Sequence, residues 1–195
     1  MNPSCLQVRV AEADKPAFIA VASPVGASAT TLELLVKAAP GTAEALCGLA
    51  AGASLQVSDV QGKGFILPAQ LSDVLLFATG SGLSPIRSLL DTPAAQGGLA
   101  GAQRVTLFYG ARTQKHVPFA QQLAAWERAG VKVTTVLSQQ ADGSKVYVQD
   151  VFAKAGVPVS AATTAVLVGQ KPLSEAIIAS LTAAGVPRER IVMNF

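Results

Sequence analysis

The sequence holds a single histidine, His116, and only two cysteines, Cys5 and Cys47. One imidazole cannot build a multi-histidine metal centre, and a Ser-His scheme would rest on that residue alone. Two lone, distant cysteines have neither the paired spacing of a zinc or iron-sulfur site nor the density of a disulfide scaffold. They read as reduced thiols in a reducing compartment. Charge is scarce as well. Asp, Glu, Lys and Arg make up 14% of the chain, and the formal net charge of +3 is spread without a Lys/Arg run. Neither nucleic acid nor an acidic membrane surface is therefore expected as a partner. No apolar run approaches the roughly 20 residues that cross a bilayer. The opening "MNPSCLQVRV" lacks the charged-then-apolar layout of a secretory signal. A soluble intracellular protein with no membrane span is expected.

What the chain has is apolar bulk, 50% of its residues, arranged in two different periodicities. Up to residue 68, short segments rich in Val, Ile, Leu and Phe ("LQVRVA", "AFIAVAS", "TLELLVKA", "SLQVSDV") are separated by Pro, Gly and Ser clusters, as in a meander or barrel. A short helix over Thr42 to Leu49 interrupts these four predicted strands. From Asp73 the pattern becomes strand, helix, strand, helix: "VLLFAT", "PIRSLLDT", "RVTLFYGAR", "PFAQQLAAWERAG", "VKVTTVLS", "VYVQDVFAKAG", "AVLVGQ", "PLSEAIIASLTAAG", "RIVMNF". Continuous apolar strands between amphipathic helices predict a parallel sheet covered on both faces.

The expected division is residues 1–68 and 69–195, joined through "GKGFILPAQLSD". Gly130 and Gly185 stand where helices stop, and Pro85, Pro118 and Pro172 at first helical turns. Trp126, spaced helically from Phe119 and Leu123, belongs to a core, and Cys47 is expected as a buried structural thiol. His116 is expected to cap or to face solvent.

The stretch "LLFATGSGLSPIRSLL" puts Gly80, Ser81 and Gly82 where a strand hands over to a helix. In a doubly wound sheet, ligands sit at the carboxyl ends of strands. Glycines there let backbone amides approach an anion, and the following helix adds its positive end. A dinucleotide diphosphate suits such a loop; a plain tight turn is the other reading. No Gly-Lys-Ser/Thr follows, which removes the usual grip on a nucleoside triphosphate.

Thr79, Gly80, Ser81, Gly82, Leu83, Ser84 and Pro85 form a Thr-Gly-x-Gly-x-x-Pro loop. With "LFYGAR", "KVYVQD", "VLVGQKPL" and "RIVMNF" following in order, the chain resembles the ferredoxin-NADP reductase superfamily. It is most similar to the plant and algal FAD/NAD(P)-binding oxidoreductase-like proteins called fruit proteins, which share "KPAFIAVASP". The resemblance implies a β-barrel of FAD-domain type, Greek-key-like and here partial, followed by a doubly wound NAD(P)-binding α/β domain, with hydride passing from nicotinamide to flavin. It implies that Thr79, Gly80, Ser81, Gly82, Leu83 and Pro85 line the diphosphate and nicotinamide side. Gly110 and Arg112 of "LFYGAR" stand beside them, and Gly169 and Gln170 form the facing strand end. Ser138, Lys145 and Tyr147 match positions that hold an adenosine 2'-phosphate, and Gln149 the adenine side. Gln139 stands where an arginine is usual, so Lys145 with Arg112 carries the charge, and NADP is favoured slightly over NAD. Phe195 matches an aromatic that covers the flavin ring. A plastid address is implied by the resemblance alone.

The resemblance has gaps. The family strand Arg-x-Tyr-Ser/Thr corresponds to Ala17, Phe18, Ile19 and Ala20, which removes a cation, a stacking ring and a hydroxyl. Gly-x-x-Ser/Thr becomes Gly41, Thr42, Ala43 and Glu44, which sets a carboxylate beside a phosphate. Val168 replaces a cysteine near the reacting nicotinamide carbon. The legible strands are too few to close a barrel, so the chain is expected to begin inside it, near its third strand, or to have a partner covering the open edge. Two readings follow. One is an NAD(P)H-dependent FAD oxidoreductase with an unidentified electron acceptor, and the other a flavin-free nucleotide-binding or structural subunit.

Overall fold

The computed structural model describes residues 5–11, 14–24, 26, 30–93, 97–99 and 101–193. The rear part is a five-stranded sheet of β4 (Asp73–Thr79), β5 (Arg104–Ala111), β6 (Lys132–Leu137), β7 (Thr164–Val168) and β8 (Ile191–Met193), in the order β6-β5-β4-β7-β8. Every pairing is parallel, with Asp73 to Thr79 opposite Arg104 to Gly110 on one side and Val74 to Ala78 opposite Thr164 to Val168 on the other. The five central residues of β4 are all buried, because both faces are covered and alternate side chains serve different cores. Val74, Leu76 and Ala78 pack with Leu107 and Tyr109 beneath α2 (Leu83–Asp91) and α3 (Ala120–Arg128). Leu75 and Phe77 pack with Phe108 beneath α4 (Val148–Lys154) and α5 (Lys171–Ala183). On that second face Phe77 stacks on Phe108 with centroids 5.5 Å apart, and Phe152 sits edge-on to both at 5.0 and 5.4 Å.

The chain runs outward from β4 to β5 and β6, then crosses back to β7 on the other side. Direction reverses at β4, which opens a crevice at its carboxyl end. Gly130 and Gly185 do stop helices: Val131 and Val186 donate back to the Trp126 and Leu181 carbonyls at 3.0 Å, while the two glycine amides reach Glu127 and Thr182. Trp126 is a core residue, as expected, and its Nε1–H donates to Asp91 at 2.6 Å.

The front part is a three-stranded antiparallel sheet of β1 (Cys5–Arg9), β2 (Ala17–Ala20) and β3 (Gln56–Val57), ordered β2-β1-β3. Leu6, Val8, Ile19 and Val21 form its apolar face, joined by Leu34, Val36 and by Leu46 of α1 (Thr42–Cys47). Three expectations are corrected. "TLELLVKA" does not extend the sheet as a fourth strand. It makes one bridge, Leu34 to Val21, and Ala22 N–H reaches the Glu33 carbonyl; beyond it Pro24 has no amide to continue a ladder. Cys47 is exposed, because only the Leu46 side of that single short helix faces the sheet. Pro118 lies outside the first turn of α3. The cap is Phe119, held at φ 54°, with its ring under the Arg87 guanidinium 4.5 Å from the centroid.

Phe77→Ala, which would empty the middle of the aromatic trio, is expected to cost about 3–5 kcal/mol, measured as a shift in the urea midpoint.

Candidate functional site

β2 of the front sheet faces the carboxyl ends of β4, β5 and β7 across a cavity of about 1090 Å³. One wall is Ala17 to Ala20 with Leu35, Val36, Lys37 and Ala43; the other is built from the rear loops. Of the residues anticipated from the sequence, Thr79, Gly80, Ser81, Gly82 and Pro85 line it together with Gly110, Arg112, Ser138, Tyr147, Gln149, Gly169 and Gln170. Leu83 does not: its side chain is fully buried in the rear core. Lys145 is exposed and lies off the cavity wall. Phe195 lies outside the described residues.

The floor of the cavity exists because of one close approach. A Cβ on Gly82 would sit 2.5 Å from the Val168 carbonyl and 3.0 Å from the Val168 side chain. Only glycine lets the loop lie against the end of β7. Around this floor stand the Thr79, Ser81 and Ser138 hydroxyls, the Tyr147 phenol and the Arg112 guanidinium. Lys37 adds a second cation from the front side, and among the described residues on the wall none is Asp or Glu. An anionic, elongated ligand is what such a donor set accommodates.

Several wall residues escaped the sequence reading. Lys37 ends an apolar run with no motif around it, and only the fold brings it to the wall. His116 is exposed and its Nδ1 lies 2.8 Å from the Thr113 hydroxyl, in keeping with the capping or solvent-facing role expected, and it also stands on the wall. The flavin positions are rearranged. Ala17 and Ile19 belong to the front apolar cluster as well as to the cavity wall, and Phe18, 66% exposed, stands on the wall between them. The Thr42 hydroxyl is donated to the Lys15 carbonyl at 2.6 Å. Ala17, Ile19 and Ala20 supply neither the cation nor the hydroxyl of the family strand, and the cation on this wall is Lys37.

The family model for the oxidoreductase NAD-binding domain matches residues 76–178, more than half of the chain. The chain belongs to this family. Among curated relatives, it is 34% identical over 208 residues to fruit protein pKIWI502 of Actinidia deliciosa, covering 97% of this chain and 64% of that protein. It is 30% identical over 148 residues to the ferredoxin reductase component of the 3-ketosteroid-9-alpha-monooxygenase of Rhodococcus rhodochrous, covering 75% of this chain and 40% of that one. The chain thus spans less than two thirds of the length of either. Among solved structures, the Amycolatopsis cytochrome P450 reductase GcoB superposes with a TM-score of 0.80 at 22% identity, over 98% of this chain and 60% of that one. A ferredoxin NADP+ reductase from Neisseria gonorrhoeae, with bound FAD and NADP, superposes with a TM-score of 0.74 at 17% identity, over 98% and 84%. The fold is that of the ferredoxin-NADP reductase type, with a partial barrel in front. Among the described residues, no helix is long and apolar enough to cross a membrane.

Within this family member the loop geometry rests on Tyr109. The residue is fully buried and its hydroxyl donates to the Gly80 carbonyl at 3.1 Å, which holds the backbone at the one loop residue with φ +54°. Burial pushes the phenol up to about 12 from its ordinary value of 10.0. Burial favours the neutral form, so this contribution to stability is complete below pH 10 and is lost as pH rises toward 12. Tyr109→Phe should therefore show a shallower alkaline fall in its urea midpoint across that interval than the wild type. Parallel falls would contradict the assignment.

Proposed function

We propose that this chain binds a reduced pyridine dinucleotide in the cleft, NADPH in preference to NADH, and presents its nicotinamide to an electron acceptor on the β2 side. One observation carries the reading: a glycine-floored cleft at the topological switch point has cations on both walls and no carboxylate on the wall among the described residues. A Rossmann site selective for NAD sets an acidic residue on the ribose 2'-hydroxyl, where it would repel a 2'-phosphate. Here the segment after β6 offers Ser138 and Gln139 instead.

The Ser81 and Gly82 amides, with the start of α2, take the diphosphate. Arg112, Ser138 and Tyr147 hold the adenosine end, and Lys145 meets a 2'-phosphate only from outside the cavity wall. Thr79, Val168, Gly169 and Gln170 flank the nicotinamide. When bound, the reduced nicotinamide supplies a hydride, which leaves its C4 with both electrons. Transfer of this kind needs positioning and exclusion of water more than an acid or base. We assign residues 69–195 to dinucleotide binding and residues 1–68 to the acceptor side.

A second reading is favoured by Ala17, Ile19 and Ala20, which bring no cation, aromatic ring or hydroxyl to the wall. A chain without a flavin grip is a nucleotide-binding subunit whose acceptor is held by another polypeptide or by another part of a longer protein.

Isothermal titration of the purified chain with NADPH and NADH tests the first point, with NADPH expected to bind about tenfold tighter, or about 1.4 kcal/mol. Absence of heat with either would overturn the assignment. Added FAD then separates the two readings. Bleaching of its visible bands by NADPH supports an oxidoreductase complete in this chain, and NADPH binding without flavin uptake supports the subunit.

A further inference from the structure

We infer that Arg87, through its ion pair with Glu33, is a positioning residue that fixes the distance between the dinucleotide cradle and the β2 wall. The inference rests on the dinucleotide reading above and adds a role for α2 that the loop motif does not contain. Ser84, Arg87 and Ser88 are spaced three and four residues apart, which puts them on one face of α2. That face meets the front part. Ser84 Oγ donates to the Ala20 carbonyl and Ser88 Oγ to the Ser23 carbonyl, both at 2.8 Å. Between them the Arg87 guanidinium pairs with the Glu33 carboxylate.

Arg87 is an unusual residue to spend here. Its side chain is 10% exposed, against 55% for Glu33. Its Nε lies 3.4 Å from Asp91, and its guanidinium plane covers the Phe119 ring. Asp91 is in turn fixed by Trp126. The arginine is thus anchored in the rear part by Asp91 and Phe119 and presents the rest of its guanidinium to the front part. Glu33 is tied into that part by its backbone: its carbonyl accepts from Ala22 N–H at 2.8 Å and its amide donates to Ser23 Oγ at 3.3 Å. The pair therefore joins one helix, which starts at the cradle, to the two segments that carry the opposite wall. A nicotinamide needs both walls, whereas an adenosine 2'-phosphate needs only the rear one.

That difference supplies the test. Glu33→Gln, at a half-exposed position, keeps the fold and weakens the pull on Arg87. NADP+ should then bind about tenfold more weakly, while 2'-phospho-AMP, which occupies only the rear wall, stays within about twofold of the wild type. Arg87→Lys should do the same, and the double variant should be no weaker than the poorer single one, as residues acting through one contact require. Equal loss of both ligands, or unchanged NADP+ affinity, overturns the inference.

A ligand-independent measurement covers the case in which the wild-type chain binds neither compound and the dinucleotide reading itself fails. Amide hydrogen exchange over residues 20–23 and 30–36 should then accelerate in Glu33→Gln, with β4 and β7 still protected. Unchanged exchange there removes the role of the pair.

Discussion

The site depends on how closely the loop after β4 can approach the end of β7. With a methyl group at Gly82 the two backbones would overlap at the Val168 carbonyl, and the loop would have to lift away from the sheet. Its present seat brings two amides and the first turn of α2 to the mouth of the crevice, where the sheet order reverses. The Tyr109 phenol, buried beneath, holds the same loop from the other side through the Gly80 carbonyl. Steric freedom at one residue and a buried hydrogen bond at another thus hold the loop amides at the crevice, the surface proposed to take a diphosphate.

α2 carries this surface and the attachment of the front part. Its apolar residues Leu83, Ile86 and Leu89 are fully buried in the rear core, which at about 25 cal/mol per Å² fixes the helix to the rear sheet. Its polar residues Ser84, Arg87 and Ser88 reach the front part instead. Hydrophobic burial thus sets where the helix lies, and polar contacts set what lies opposite it. The Arg87–Glu33 pair is buried only on its arginine side, so it adds little net stability and acts mainly by giving the charge of Arg87 one partner on the front part. Such a pair belongs at a boundary whose geometry matters more than its strength.

The rear sheet was legible because five apolar runs alternate with helical ones, and continuous burial on both faces leaves no second way to fold them. The glycine loop was legible for a local reason, its place between a strand and a proline-led helix. What periodicity and motif position leave out is tertiary. Periodicity says that "TLELLVKA" alternates, but the bridge at Leu34 and Val21 depends on where Pro24 interrupts its neighbour. Leu83 belongs to the motif by position and to the core by helix phase. Lys145 matches a phosphate-binding position in sequence, yet the path of the loop before α4 leaves it off the wall. Lys37 and His116 come from segments distant in sequence that meet only across the cleft.

Membership of the oxidoreductase NAD-binding domain family and a glycine-floored cleft lined by the front and rear parts underlie the proposal that this chain binds a dinucleotide there. An amide chemical-shift titration with NADP+ tests this most directly, because it reports where the ligand lies. The largest perturbations should fall on Ser81, Gly82 and Gly169, with smaller ones at Ser138 and Tyr147. Perturbations confined to the front sheet, or to the amino ends of the rear strands around Asp73 and Lys132, would contradict the account.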